Sequence, residues 1–365
     1  MHLNHTQTRY SIINNWIHTL HFTKMKKQTF FSIVVAIATS MTINAQIIAL
    51  HSSTGVQMFK GNTAFADAYT AAQNGDTIYL SGNSFTPPAE FNKQLMILGA
   101  GHYPDSTVAT GKTFINGQVQ LRESADNFYL EGVEVTGNVI FYSNEAVDGV
   151  IIKRCKINGQ FNVLGDLSNP SSNLGIVGNV LGQRINLENA ETALLSNNII
   201  VNTFMFSNGN LINNNIIMGF IWGSSMDYLF YGNNNSLNNN IFLWEGYNAN
   251  VNGSGNIFNN NLYVEPAPNY GTTATSTGNY TGILQGDIFV SQTGTAFSYL
   301  HNYHLKSPTT YTGAEGSQVG VYGGIFPYKE GAVPLNPHIQ VKNIASTTDA
   351  NGNLQIQIQV GAQKD

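Results

Sequence analysis

Leu211-Ile212-Asn213-Asn214-Asn215-Ile216-Ile217-Met218 decides the fold, because the same order of residue types returns along the chain. Ser196-Asn197-Asn198-Ile199-Ile200-Val201, Asn238-Asn239-Asn240-Ile241-Phe242-Leu243 and Asn259-Asn260-Asn261-Leu262-Tyr263-Val264 align with it. Weaker copies lie at Cys155-Lys156-Ile157 and Gly178-Asn179-Val180. Counted from Ile157 through Val180, Ile199, Ile216 and Ile241 to Leu262, the spacings are 23, 19, 17, 25 and 21 residues. A repeat of about 21 residues with insertions marks a solenoid, in which each coil buries its apolar face against the next.

Each copy reads as a short strand, a polar corner and a second short strand. Asn suits the corner because it tolerates the left-handed backbone region and bonds its own backbone nearby. Stacked coils place equivalent side chains roughly 4.8 Å apart. Asn198, Asn214, Asn215, Asn239, Asn240, Asn260 and Asn261 are therefore expected to form a structural ladder of amides along the axis, beside a stack of Ile and Val. A helical solenoid would not set three Asn against each β-branched run.

Composition agrees with an all-β chain. Only 10% of the 365 residues are charged, while 36 are Gly and 42% are apolar. At the N-terminus, Met25-Lys26-Lys27, the apolar Phe30 to Ile43 and the small Ala45 form the pattern of a secretory signal peptide over 25–45. Residues 1–24 carry no apolar period and read as an over-extended start. The apolar stretch is shorter than the roughly 20 residues of a membrane anchor, so no membrane insertion is expected. Residues 46–365 hold 12 Lys and Arg against 21 Asp and Glu, a net charge of −9. That balance argues against nucleic acid, which is held through phosphate-neutralising cations. The one cysteine, Cys155, has no disulfide partner in the chain and sits in an apolar run, as a buried small hydrophobe would.

At this point the chain resembles the pectin-lyase-like superfamily of secreted right-handed parallel β-helices. Ala64-Phe65-Ala66-Asp67-Ala68-Tyr69-Thr70-Ala71-Ala72, followed by Asn74-Gly75-Asp76-Thr77-Ile78-Tyr79-Leu80, is similar to that family's opening, and Leu95-Met96-Ile97-Leu98-Gly99-Ala100-Gly101 to a following coil. The resemblance implies an N-terminal capping helix, a turn, then the first coil. It covers about residues 60–305 and assigns 46–319 to the helix proper; it speaks to fold rather than activity. In the tail, 320–365, Gly320 to Pro337 suggests a loop packed along the solenoid. Leu354, Ile356, Ile358 and Val360 alternate with Gln355, Gln357 and Gln359 after Asn351-Gly352, predicting a C-terminal hairpin with one buried face that caps the last coil.

Motifs of the family's enzymes are missing. The uronate lyases use cationic bases, yet no Arg-x-Pro-x-x-Arg run occurs, and of the adjacent Lys153 and Arg154 one should turn inward or into a corner, since strand neighbours face opposite ways. The hydrolases use clustered Asp, yet no Asp-Asp pair occurs; Glu188, Glu191, Asp227 and Glu245 are scattered acids. His301 and His304 lack a third ligand nearby, Asp349 to Asn353 reads as a turn, and no cofactor motif is present. Phe204-Met205-Phe206, Phe220-Ile221-Trp222 and Phe242-Leu243-Trp244 place rings at alternate positions on three coils, so Phe206, Trp222 and Trp244 are candidate stacking surfaces for a sugar, or else part of the interior. Three readings follow: a secreted, non-catalytic module that binds extracellular polysaccharide or serves a structural role; a lyase or hydrolase with an unfamiliar site; and an adhesion module for a protein.

Overall fold

A computed structural model describes residues 46–202, 204–219, 230–245, 251–331 and 337–362, with the side chains of 204–207 and 230 left aside. Residues 25–45, expected to be a signal segment, residues 1–24, Trp222 and Asp227 lie outside the described residues. The chain is an all-β parallel solenoid of about nine turns. Three sheets run along its axis. The longest has twelve strands, ordered from the antiparallel pair Gly55–Lys60 and Ile47–Ser52 through Thr77–Leu80 to Thr275–Thr277. The second has nine strands, from Ser84–Phe85 to Leu262–Tyr263, and the third seven, from Val119–Leu121 to Val251–Asn252.

The long sheet owes its regularity to three-residue strands. The middle residue of each, such as Ile152, Ile176, Leu195, Ile212 and Leu237, points inward and is buried. The outer two stand in files facing away from the core. In the third sheet Val139, Phe141, Phe161, Val163, Ile185 and Leu187 face the same interior. A helix, α1 (Ala64–Ala71), lies against the first antiparallel pair and buries Ala64, Phe65 and Ala68. The antiparallel pair ahead of α1 is not implied by the resemblance; its alternation of buried Ile48 and Leu50 with more open neighbours is the usual mark of a half-buried strand.

The second sheet is apolar on both faces, and that fact organises the tail. Of each pair Ile199–Ile200, Ile216–Ile217 and Ile241–Phe242, the second residue enters the interior, while the first joins a separate core outside. Residues 283–328 cover that outer face as a strap, contributing Ile288, Phe289, Tyr303, Leu305, Val319, Val321 and Tyr328. The strap lies close. Gly320, at φ +78°, leaves no room for a Cβ beside Ile241. The packed segment thus begins well before Gly320.

The C-terminal expectation needs correcting. His338–Ile344 and Ile356–Gly361 do pair antiparallel, and Asp349 Oδ1 accepts the Asn351 and Asn353 backbone N–H groups in the turn. The face expected to be buried is open, however: Ile356, Ile358 and Val360 are 55–58% exposed. Period two put them on one side, but no described part of the chain lies over it.

Candidate functional site

Each run of three Asn performs three separate tasks. Asn213, Asn238 and Asn259 end their strands in the long sheet's outer file, with Asn238 Nδ2 donating to Asn213 Oδ1 at 3.1 Å. Asn214, Asn239 and Asn260 follow at φ of 55°, 58° and 52°, so they form the left-handed corner. Asn215, Asn240 and Asn261 then turn inward and are fully buried.

The axial amide ladder consists of this third set alone. It runs Asn179, Asn198, Asn215, Asn240, Asn261, Asn279, each Nδ2 donating to the next Oδ1 at 2.9–3.2 Å. Each Oδ1 from Asn198 on also accepts the backbone N–H of the Asn before it in the file. Asn214, Asn239 and Asn260 are therefore corner residues rather than ladder members. Asn197, Asn214 and Asn239 turn their side chains to the strap instead: Asn197 Nδ2 donates to Val321 O and Gly323 O, both at 2.8 Å, Asn214 Nδ2 to Gly320 O at 3.3 Å, and Asn239 Nδ2 to Glu315 Oε1 at 2.9 Å. Cys155 fills the ladder slot one coil earlier, where burial pushes its thiol up to about 12. A second buried file, Asn210, Asn235 and Asn256, stands at the start of the long-sheet strands. Sequence reading missed it, although its spacing repeats that of the first.

Between the strap and the outer files of the long sheet runs a groove. Its larger part, about 560 Å³, has a floor of Leu194, Leu211, Asn213, Asn238 and Asn259, and a wall of Glu315, Ile325 and Phe326. A smaller part of about 420 Å³ continues past the same Ile325 and Phe326 to Lys153, Arg154 and Lys329. Lys153 and Arg154 both line it, Lys153 from the strand and Arg154 from the corner. Arg154 occupies the left-handed corner at φ 51°, which turns its side chain back over the outer face. There Arg154 Nη1 lies 3.2 Å from Glu131 Oε1, and the Tyr129 hydroxyl donates to Glu131 Oε2 at 2.6 Å. Burial and the neighbouring Glu131 carboxylate push the Tyr129 phenol far up, so it stays protonated.

Of the aromatic candidates, Phe206 and Trp244 belong to different parts of the coil. Phe206 pairs in the third sheet with Asn186 and Tyr231, whereas Trp244 is half-buried just beyond the second-sheet strand Ile241–Phe242. Of the scattered acids, Glu188, Glu191 and Glu245 line neither part of the groove. His304 stacks on the Tyr322 ring at 3.8 Å, and no cluster of three His, Cys, Asp or Glu suited to a metal occurs among the described residues. No match was found to protein-family models, curated proteins or solved structures. Nor is any helix among the described residues long and apolar enough to cross a membrane.

A second cluster lies where the strap crosses the early coils. His102 is fully buried with Nδ1 at 3.2 Å from the Tyr299 hydroxyl, and the Tyr103 and Tyr328 hydroxyls bond at 2.7 Å. Burial drives the His102 imidazole down to about 3. Beside it, Lys112 and Lys156 hold Glu134 at 2.6 and 3.0 Å; its burial works against ionisation, but these bonds prevail and keep it below the usual carboxylate range. Every polar group there except His102 Nε2 has a partner within the protein, which suits a latch better than a binding site.

Proposed function

We propose that this chain is an exported right-handed β-helix of the pectin-lyase-like kind, that α1 closes its first coil, and that it binds an extended glycan without cleaving it. The observation that carries the reading is the floor of the groove, where Asn213, Asn238 and Asn259 repeat once per coil beside the apolar Leu194 and Leu211 and opposite Phe326. Amides meet hydroxyls and rings meet C–H faces, while the regular rungs suit a ligand that is itself repetitive. The six strands from Ile151–Lys153 to Ile257–Asn259 give the groove a length of roughly 24 Å.

The test is a glycan array of residues 46–365, followed by calorimetry on the best oligosaccharide. Phe326→Ala should weaken binding about tenfold or more, as loss of a stacking ring does, while the unfolding midpoint stays put. Unchanged affinity for the array's best ligand rejects this groove as its site. Ultraviolet absorbance of unsaturated ends, followed in the same incubations, separates this reading from that of a lyase. Export through residues 25–45 is checked by mass spectrometry of secreted protein, which should begin at or within a few residues of Gln46.

A further inference from the structure

In the larger part of the groove the protein spends its hydrogen-bond donors on itself and leaves acceptors open. Glu315 is the one charged side chain lining that part among the described residues. It is held through a single oxygen, because Asn239 Nδ2 and the Ser317 hydroxyl both donate to Oε1, each at 2.9 Å. No described residue donates to Oε2. The Ser317 hydroxyl has its one proton on Glu315 and accepts the Gly324 backbone N–H, so it has no donor left. On the floor, one residue before Asn239, Asn238 Nδ2 donates to Asn213 Oδ1 at 3.1 Å and to Ser236 Oγ at 2.9 Å, which occupies both of its N–H groups. Its Oδ1 receives no hydrogen bond from the described residues.

We infer that Glu315 sets the class of ligand: Glu315 Oε2 and Asn238 Oδ1 accept two hydroxyls of one neutral sugar unit, and an acidic sugar is turned away there. This rests on the glycan-binding reading above. A sugar hydroxyl brings the donor that this stretch of the groove lacks, and its bond to a carboxylate is charge-assisted. A uronate carboxylate is acceptor-only, so it would leave the two oxygens without a donor and set like charges side by side. A site built to bond a hydroxyl rejects a ligand that lacks it sharply, since the polar groups of the site are then left unpaired. The net charge of −9 over residues 46–365 works in the same direction against acidic polymers. The two bonds on Oε1 also fix the carboxylate before a ligand arrives, so little side-chain freedom is lost on binding.

The experiment titrates residues 46–365 by calorimetry with cellohexaose, xylohexaose, mannohexaose, hexagalacturonate and the glucosamine hexamer, together with the leading glycan of the array. A neutral oligosaccharide should lead, by about tenfold over hexagalacturonate. Glu315→Gln retains an acceptor for Asn239 and Ser317, so the unfolding midpoint should stay put. It should weaken the leading neutral oligosaccharide about fivefold, by loss of the charge-assisted bond, and narrow the gap to hexagalacturonate. Asn238→Ala should weaken the same ligand, again without moving the midpoint. Because one sugar unit joins both oxygens, the double variant should lose less than the product of the two single losses. A uronate or the glucosamine hexamer in the lead, unchanged neutral affinity in Glu315→Gln, or strictly multiplicative losses would overturn the inference while glycan binding survives. If no glycan on the array binds, the underlying reading fails.

Discussion

Three consecutive residues of one type, Asn213, Asn214 and Asn215, offer a test in which chemistry is constant and only position varies. Asn215→Leu deletes bonds to Leu195 O and Asn240 Oδ1 and strands the Asn198 donors, all of them buried. A buried donor without an acceptor costs about 1–3 kcal/mol, so the total should be about 2–4 kcal/mol. Asn214→Ala meets the left-handed penalty of about 1–2 kcal/mol, whereas Asn214→Gly escapes most of it. Asn213→Leu, on the outer face, should move stability by no more than about 0.5 kcal/mol. Denaturant midpoints read all four. Equal losses at 213, 214 and 215 would mean that the three positions are not distinct. The run of Asn was plain in the sequence, but its division of labour was not, because a triplet in isolation has no register. Aligning the coils whose corner is Gly178 or Arg154 supplies it, since those residues mark the left-handed place and leave Asn179 and Cys155 in the ladder slot.

Among elements, the strap was only half legible. Paired apolar residues such as Ile199-Ile200 and Ile216-Ile217 announce strands buried on both faces. A cover was therefore required, yet its identity depended on contacts more than a hundred residues apart, such as Asn197 with Val321. The groove was illegible for the same reason: its floor comes from coils between Leu194 and Asn259 and its wall from the strap that follows the last coil. The strap's far end should show itself in acid. His102 is held neutral down to about pH 3, while in the unfolded chain it takes a proton near its ordinary pKa of 6.5. The unfolded state therefore binds more protons between those values. Stability present above pH 6.5 should be lost on acidification by up to about 1.4 kcal/mol per pH unit. His102→Gln should flatten the slope between pH 6.5 and 5, a window above the ordinary carboxylate range. An equal slope in both proteins would show that His102 is accessible to protons in the folded state.

For the molecule as a whole, the tail divides into an integral part and an appended one, and truncation distinguishes them. The strap joins a core containing Val180, Ile199, Ile216, Ile241 and Leu262, and a chain ending at residue 282 would leave this apolar file in water. An exposed stripe of that kind drives association, so such a chain should be insoluble or should refold only in detergent. The antiparallel pair after residue 337 has the opposite character. Its apolar side chains Leu354, Ile356, Ile358 and Val360 are 45–58% exposed, and two strands alone are marginal in water. Residues 46–337 should therefore unfold in denaturant at a midpoint within about 0.5 kcal/mol of that of 46–365. The slope should fall slightly, since it follows the surface exposed on unfolding. Both proteins should also bind the same oligosaccharide equally, because every residue placed at the groove lies before 331. A large loss of stability in 46–337 would show that the pair packs on the solenoid after all, as its alternating sequence first suggested. A soluble, cooperatively folding 46–282 would show that the second sheet tolerates an open face, and the strap would then be a wall for the groove rather than a cover for the core.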